Sequence, residues 1–421
     1  MLPSEQGNLG VAETIFVSRA SPQIRRAPTT YDKTMDTRDP NPYLTMPDKN
    51  IDFTTFGMFI LDEIHFEEDE DVVDNIVGGA GTYSVIGARL FSPGPQAKAI
   101  GWIVDAGNDF PLEICQDLTG LGTNLIIRED LNRRTTRGWN KYGPGDYRAF
   151  KYLTPKKRIE VNDLVEVGLF TAKTAHLICA PARADNICSS LYNALQDRPS
   201  HPMPLVVWEP VPDSCDPAHR AQMHATPLSF LIFGWWVGSA NNGDSRYKVL
   251  KMVHIISPNH DELAGYYDTE DSLDKSNPDT IKSLAEKIAA AGIGQQGNGA
   301  IVVRAGKLGC LVACRKHAPI WLPAYYPPTE TGGNNPRVID PTGGGNAFIG
   351  GMSISIARNG SAKFVLAAAM GMVAASFAIE QFGMPELEVV DGEERWNGVS
   401  VRERMEEYRR RVENMGISLD V

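Results

Sequence analysis

Residues 1–50 carry few apolar positions and no apolar period, and they are rich in Pro, Thr, Asp and Arg. Such a stretch cannot bury enough surface to order itself and is expected to be a mobile tail. The pattern changes at Phe53. Thr54 to Leu61 is a run of β-branched and apolar residues that reads as one buried strand, with Asp62 and Glu63 at its C-terminal end. Val77-Gly78-Gly79-Ala80-Gly81 leads into a helical pattern through Val85, Ile86, Ala88 and Leu90. Ile100 to Val104 is the next strand, and a helix from Pro111 to Leu118 follows it, with proline in the first turn. Residues 124–160 break into short apolar pieces between Arg, Thr and Gly, and predict hairpins extending from the main sheet. Leu164 to Leu169 and Ala175 to Cys179 suggest a helix and a strand, and Asp185 to Leu195 a further helix.

The second half repeats the alternation. Leu205 to Glu209 and His254 to Asn259 read as strands, and Asp279 to Ala291 as a charged surface helix ended by Gly292. Ala300 to Arg304 and Cys310 to Ala313 read as a hairpin, and Trp321 to Asn335 as a loop rich in Pro and Gly. Helices are expected over Asn346 to Ala357 and Ala362 to Gln381. Residues 391–421 read as a polar linker and then a charged helix from Val401 to Met415, a solvated appendage or a partner-binding surface. Strands alternating with helices from residue 53 to residue 381 argue for an α/β fold with a mostly parallel sheet covered on both faces.

Composition narrows the function classes. The chain has 421 residues, 42% hydrophobic and 22% charged, as in globular proteins. Its net charge is −11 and no basic block stands out, so direct nucleic-acid binding is not expected. No apolar run approaches the ~18 residues of a membrane span. The N-terminus lacks the charged–apolar–cleavage pattern of a secretory signal, and Glu5 and Glu13 count against a transit sequence. Cysteines 115, 179, 188, 215, 310 and 314 are scattered, with no Cys-x-x-Cys pair. Reduced buried thiols and a cytoplasmic location are the simpler expectation. No His-Glu-x-x-His occurs, and Cys310 and Cys314 lack a second pair at metal-binding spacing.

Candidate chemistry concentrates in Asp340-Pro341-Thr342-Gly343-Gly344-Gly345-Asn346, followed by Ala347-Phe348-Ile349-Gly350-Gly351. A glycine loop opening directly into a helix presents unpaired N–H groups and the positive end of the helix dipole, a site for an anion such as phosphate. Two other nucleotide motifs can be set aside. Gly292-Ile293-Gly294-Gln295-Gln296-Gly297 spells G-x-G-x-x-G but follows a helix and precedes a strand, and Gly306-Lys307 lacks the following Ser or Thr of a P-loop. Glu67 to Asp71 reads as a solvated acidic loop.

Five stretches in order resemble the pfkB/ribokinase superfamily of carbohydrate and nucleoside kinases. Residues 340–351 resemble its D-T-x-G-A-G-D-x-F-x-G-G signature. Gly57 to Asp62 resembles its first strand, Val77-Gly78-Gly79 with Leu90 its Gly-Gly signature, Asn259 to Glu262 its N-x-x-E motif, and Ile301 to Gly309 its strand and glycine turn beside the nucleotide. The pairing of 257–262 with 340–351 looks closest to the fungal branch associated with maintenance of killer virus particles. The resemblance implies a ribokinase-like three-layer αβα sandwich over residues 51–390, with a small β lid drawn from 62–77 and 124–160. It implies ATP and Mg²⁺ as cofactors, a sugar-like or nucleoside substrate, and either a monomer or a homodimer. Asp62, Gly78 and Gly79 would hold substrate. Asn259 and Glu262 would order Mg²⁺ through water. Arg304, Gly306, Gly309, Asp340 and Thr342 would lie at the nucleotide. Gly343, Gly344 and Gly345 would face the transferred phosphoryl group. Two positions depart from the pattern: the family's catalytic base Asp is Asn346 here, and an Asn of the Gly-Gly motif is Tyr83.

Overall fold

A computed structural model describes residues 50–66, 72–143, 147–196, 198, 200–223, 249–268 and 273–420. The expectations for the N-terminal tail and for the acidic run 67–71 therefore lie outside the described residues. The described strands are β1 Phe53–Thr55, β2 Ile60–Phe66, β3 Val72–Gly78, β4 Ile100–Gly107, β5 Asn124–Asp130, β6 Arg137–Gly143, β7 Tyr147–Tyr152, β8 Thr174–Ile178, β9 Leu205–Glu209, β10 Ile255–Ile256, β11 Ala300–Arg304, β12 Cys310–Cys314, β13 Ile320–Leu322, β14 Leu387–Val390 and β15 Glu393–Trp396.

Nine of these form one sheet in the order β13-β12-β11-β10-β9-β8-β1-β4-β5. From β11 to β5 every neighbouring pair is parallel; β12 and β13 add an antiparallel edge. Helices cover both faces because successive strand side chains point to opposite sides. In β11, Ala300 and Val302 enter the core cluster that also holds Ile86, Phe348 and Phe377. Ile301 and Val303 enter the opposite one, with Ile187, Leu191 and Ile288. Parallel strands buried on both faces read as unbroken apolar runs, which is why periodicity alone marks them poorly.

A separate four-stranded sheet, β3-β2-β6-β7, forms the lid. β2 pairs with β3 antiparallel and with β6 parallel, and β6–β7 is an antiparallel hairpin. Arg137 of β6 roots this sheet on the body, donating to Asp109 at 2.7 Å and to Asp74 and Asn75 of the lid at 3.1 and 2.9 Å.

Several sequence readings change here. The run Thr54–Leu61 is not one strand. It leaves the main sheet after β1, where Phe56 N donates to the His176 carbonyl, and re-emerges as β2 in the lid. An apolar run records burial but not which sheet it pairs with. Of residues 124–160, β5 is a parallel strand of the main sheet, and only the β6–β7 hairpin belongs to the lid. Trp321 lies in β13 rather than in a loop.

The C-terminal segment is built into the fold. Residues read as linker from 391 on supply the turn and β15, which pairs with β14, and the helix Val401–Asn414 buries Arg404, Tyr408 and Val412. The Arg404 guanidinium lies 3.7 Å from the Phe377 ring centre, and Tyr408 donates to the Pro323 carbonyl at 2.6 Å. A helix that is charged over most of its surface can still dock through a narrow stripe and the apolar stems of its arginines. The six cysteines are all free.

Candidate active site

The glycine-rich stretch forms a loop that runs straight into a helix. The helix Gly344–Asn359 opens directly from Gly343, which stands at φ 76° with its α-carbon against the Tyr83 ring; a side chain there would sit 2.3 Å from that ring. Tyr83 is buried at 3% exposure and serves as the floor of the loop. Asp340 braces the loop from within: it is buried, and its Oδ1 accepts from the Thr342 N–H at 2.9 Å and from the Thr342 hydroxyl. That carboxylate oxygen of Asp340 is engaged within the loop.

Helix packing fixes where this loop sits. A side chain on Gly350 would meet the Ser84 carbonyl at 1.9 Å, so the helices Gly344–Asn359 and Ala80–Leu90 cross at backbone contact. Gly79 caps the second of these, and Gly78, in β3, lies against Asp62 of β2. Asp62 is buried at 7% between Gly78 and Gly138, either of which would collide with its carboxylate if it bore a side chain. The substrate candidates Asp62, Gly78 and Gly79 are therefore neighbours at the root of the lid.

The carboxyl ends of β9, β10 and β11 bring the remaining groups together, the usual place for a ligand in an open α/β sheet. β9 ends in Glu209, β10 runs into Ser257 and Asn259, and β11 ends in Arg304, with Asn259 and Arg304 bridged. Arg304 Nη1 lies 2.7 Å from Glu209 Oε1; its Nη2 donates to the Ser257 carbonyl at 3.0 Å and reaches Glu262 Oε2 at 3.4 Å. Asn346 Nδ2 donates to Glu209 Oε2 at 2.7 Å, and His176 Nε2 lies 3.3 Å from the same oxygen. Thr55 Oγ1 lies 2.9 Å from His176 Nδ1 and holds the far side of that ring. Burial disfavours the Glu209 charge, but Arg304, His176 and Asn346 outweigh it and hold its pKa below the ordinary carboxylate value. At Glu262 burial wins: it is raised to about 7, with Arg304 opposing and the Glu209 charge adding.

Glu209 and His176 belong to no recognisable motif. The signal for Glu209 was an acidic residue closing an apolar strand just before Pro210. The expected glycine turn is present: Gly306–Leu308 and Gly309, at φ 96°, link β11 to β12.

Of these groups, Asn259, Glu262 and Asn346 border a cleft of about 900 Å³. Asn140, Ala149 and Phe150 of the lid face Asn259, Glu262 and Asn346 of the body across it. A smaller cavity of about 260 Å³ lies at the opposite ends of the strands, beside Leu205, His254 and Gly294 of the misplaced G-x-G-x-x-G stretch.

The comparisons with known proteins agree with this architecture. A family model described as pfkB family carbohydrate kinase matches residues 244–387. An uncharacterized protein of Schizosaccharomyces pombe is 37% identical over 372 residues, covering 86% of this chain and 94% of its own. Protein MAK32 of Saccharomyces cerevisiae is 31% identical over 364 residues, covering 84% and 91%. The chain belongs to the pfkB superfamily. Among solved structures, ribokinase from Giardia lamblia shares the fold at TM-score 0.57 and 14% identity, covering 85% of this chain and 98% of its own. Ribokinase from Cryptococcus neoformans in complex with ADP shares it at TM-score 0.53 and 14% identity, covering 80% and 95%.

The resemblance implies a divalent cation near Asn259 and Glu262, but the donor set does not fit one. Asn259 Oδ1 accepts from Glu262 N at 2.8 Å and Asn259 N donates to Glu262 Oε2 at 2.7 Å, a reciprocal helix cap. The same Oε2 faces Arg304, which also neutralises Glu209. Among the described residues, no group of three or more His, Cys, Asp or Glu could hold a metal ion. No helix among them is long and apolar enough to cross a membrane.

Proposed function

We propose that the protein binds ATP and a small sugar-like or nucleoside substrate in this cleft, and transfers the terminal phosphoryl group to a substrate hydroxyl slowly. The observation that carries this reading is Asn346: it lines the cleft at the opening of the glycine-loop helix, and its side chain is held by Glu209 at 2.7 Å. First-turn N–H groups at Gly345 and Asn346 would stabilise negative charge developing on the phosphoryl group. Asn346 spends its Nδ2 on Glu209, so Oδ1 remains to accept a hydrogen bond from the attacking hydroxyl. An amide oxygen orients a hydroxyl but does not take its proton near neutral pH. Phosphoryl transfer through a loose transition state depends mostly on positioning and electrostatics. The missing general base therefore slows the reaction by about 10²–10⁴ without abolishing it. In this proposal Asp62, with the Gly78 and Gly79 backbone, holds substrate hydroxyls. Gly306 and Gly309 border the nucleotide, and Asp340 and Thr342 keep the loop open toward it. The free cysteines accord with a reducing compartment, and we assign the protein to the cytoplasm.

A second reading, a binder without turnover, is favoured by one observation. The Arg304 guanidinium rests against Gly345, where a side chain would lie 2.1 Å from Nη1, beside the N–H groups that would meet phosphate. Screening sugars, polyols and nucleosides for ATP consumption by the full-length protein separates the two. Substrate-dependent consumption supports transfer. ATP binding with no consumption across the screen supports the binder. If ATP is neither bound nor consumed, both readings fail.

A further inference from the structure

The geometry points to Arg304 as a resident cation that meets the nucleotide phosphates in place of a divalent metal, so that ATP binding here is independent of Mg²⁺. The inference rests on the nucleotide-binding reading above. Three observations carry it. First, the Arg304 guanidinium lies against Gly345 in the first turn of the helix Gly344–Asn359. A cation at the positive end of a helix is unfavourable unless anions share the place. Second, two carboxyl groups share the place: Glu262, which the resemblance assigns to ordering a metal through water, faces Nη2 at 3.4 Å, and Glu209 faces Nη1 at 2.7 Å. One planar, permanently charged fork thus stands where a divalent cation would have to be recruited. Third, Arg304 Nε is buried and has no hydrogen-bond partner in the protein. A buried donor without an acceptor is costly, and an acceptor-rich anion would satisfy it. Phosphate oxygens supply acceptors in the geometry a guanidinium matches.

The test is calorimetric titration of the full-length protein with ATP, in EDTA and in saturating Mg²⁺. The expected wild-type affinity in EDTA is within about threefold of that in Mg²⁺. Arg304→Ala is expected to weaken binding in EDTA by about tenfold or more, the loss of a charge-assisted contact, and to recover part of it when Mg²⁺ is added. The pair Glu209→Gln with Arg304→Gln removes Arg304 together with the carboxylate it holds most closely, while Glu262 keeps its hydrogen bond from Asn259 N; it should lose binding in EDTA as the alanine variant does. Wild-type binding that vanishes in EDTA, or a double variant that still binds ATP in EDTA, overturns the inference while leaving the nucleotide reading intact. Absence of ATP binding under both conditions overturns both.

Discussion

Asn346 donates its side-chain amide to Glu209 at 2.7 Å, across 137 positions of sequence. The asparagine is therefore not an isolated loss of a carboxylate but one half of a neutral–acidic pair. An aspartate at 346 would face Glu209 across the same gap, two like charges in a buried place. Asn346→Asp alone is thus expected to lower Tm at neutral pH, with the deficit shrinking as the medium is acidified and the pair takes up a proton. Melting curves of the variant against wild type from acidic to neutral pH check this; a deficit that is constant with pH contradicts it.

Glu262 and Glu209 answer to pH in opposite senses. Burial raises Glu262 from 4.5 to about 7. A carboxyl whose pKa is higher in the folded state contributes stability in full below its unfolded value and loses it as pH rises through the folded value. Its window therefore runs from about 4.5 to about 7. Glu209, held below 4.5 by Arg304, His176 and Asn346 against the pull of burial, contributes stability above that value and loses it as pH falls. Glu262→Gln should remove the decline in Tm between the two ends of the first window and leave the acid limb in place. An unchanged decline in the variant contradicts the assignment.

Asp62 sits at the lid root between Gly78 and Gly138. If it holds substrate hydroxyls, Asp62→Ala should weaken substrate binding by about 10- to 100-fold and leave ATP binding unchanged, since hydrogen bonds to a charged group carry that order of energy. Separate titrations with each ligand decide it. Equal loss of both ligands would remove Asp62 from the substrate site.

The C-terminal helix is expected to be part of the core. Tyr408 is fully buried, and its hydroxyl donates to Pro323 at 2.6 Å. Tyr408→Ala should therefore destabilise the fold by about 3–5 kcal/mol, the range for losing a buried aromatic. Denaturant unfolding that shows no change would return the helix to a solvated role.

The main sheet was legible because its strands and helices alternate in long, strongly patterned segments. The loop-to-helix junction at 343–345 was legible because three glycines stand directly before an apolar helical segment. The split of Thr54–Leu61 between two sheets was not, since pairing partners are set by contacts far away in sequence. Glu209 shows the same limit at the site. Its meaning comes from Arg304, Asn346 and His176, each contributed by a different element, and no local spacing encodes that meeting. Tyr83 stood out as a departure from the Gly-Gly pattern, yet its role as the floor beneath Gly343 needed the helix crossing.

The central claim is that Asn346, held by Glu209, permits positioning for phosphoryl transfer but withholds a proton acceptor. The most direct measurement is substrate-dependent ATP turnover by wild type and by Asn346→Asp combined with Glu209→Gln, which exchanges the amide and the carboxylate across the same hydrogen bond. The account predicts folded protein with turnover raised by about 10²–10⁴ over wild type. Turnover equal to or below that of wild type, in a double variant that keeps its fold and its ATP binding, would contradict it.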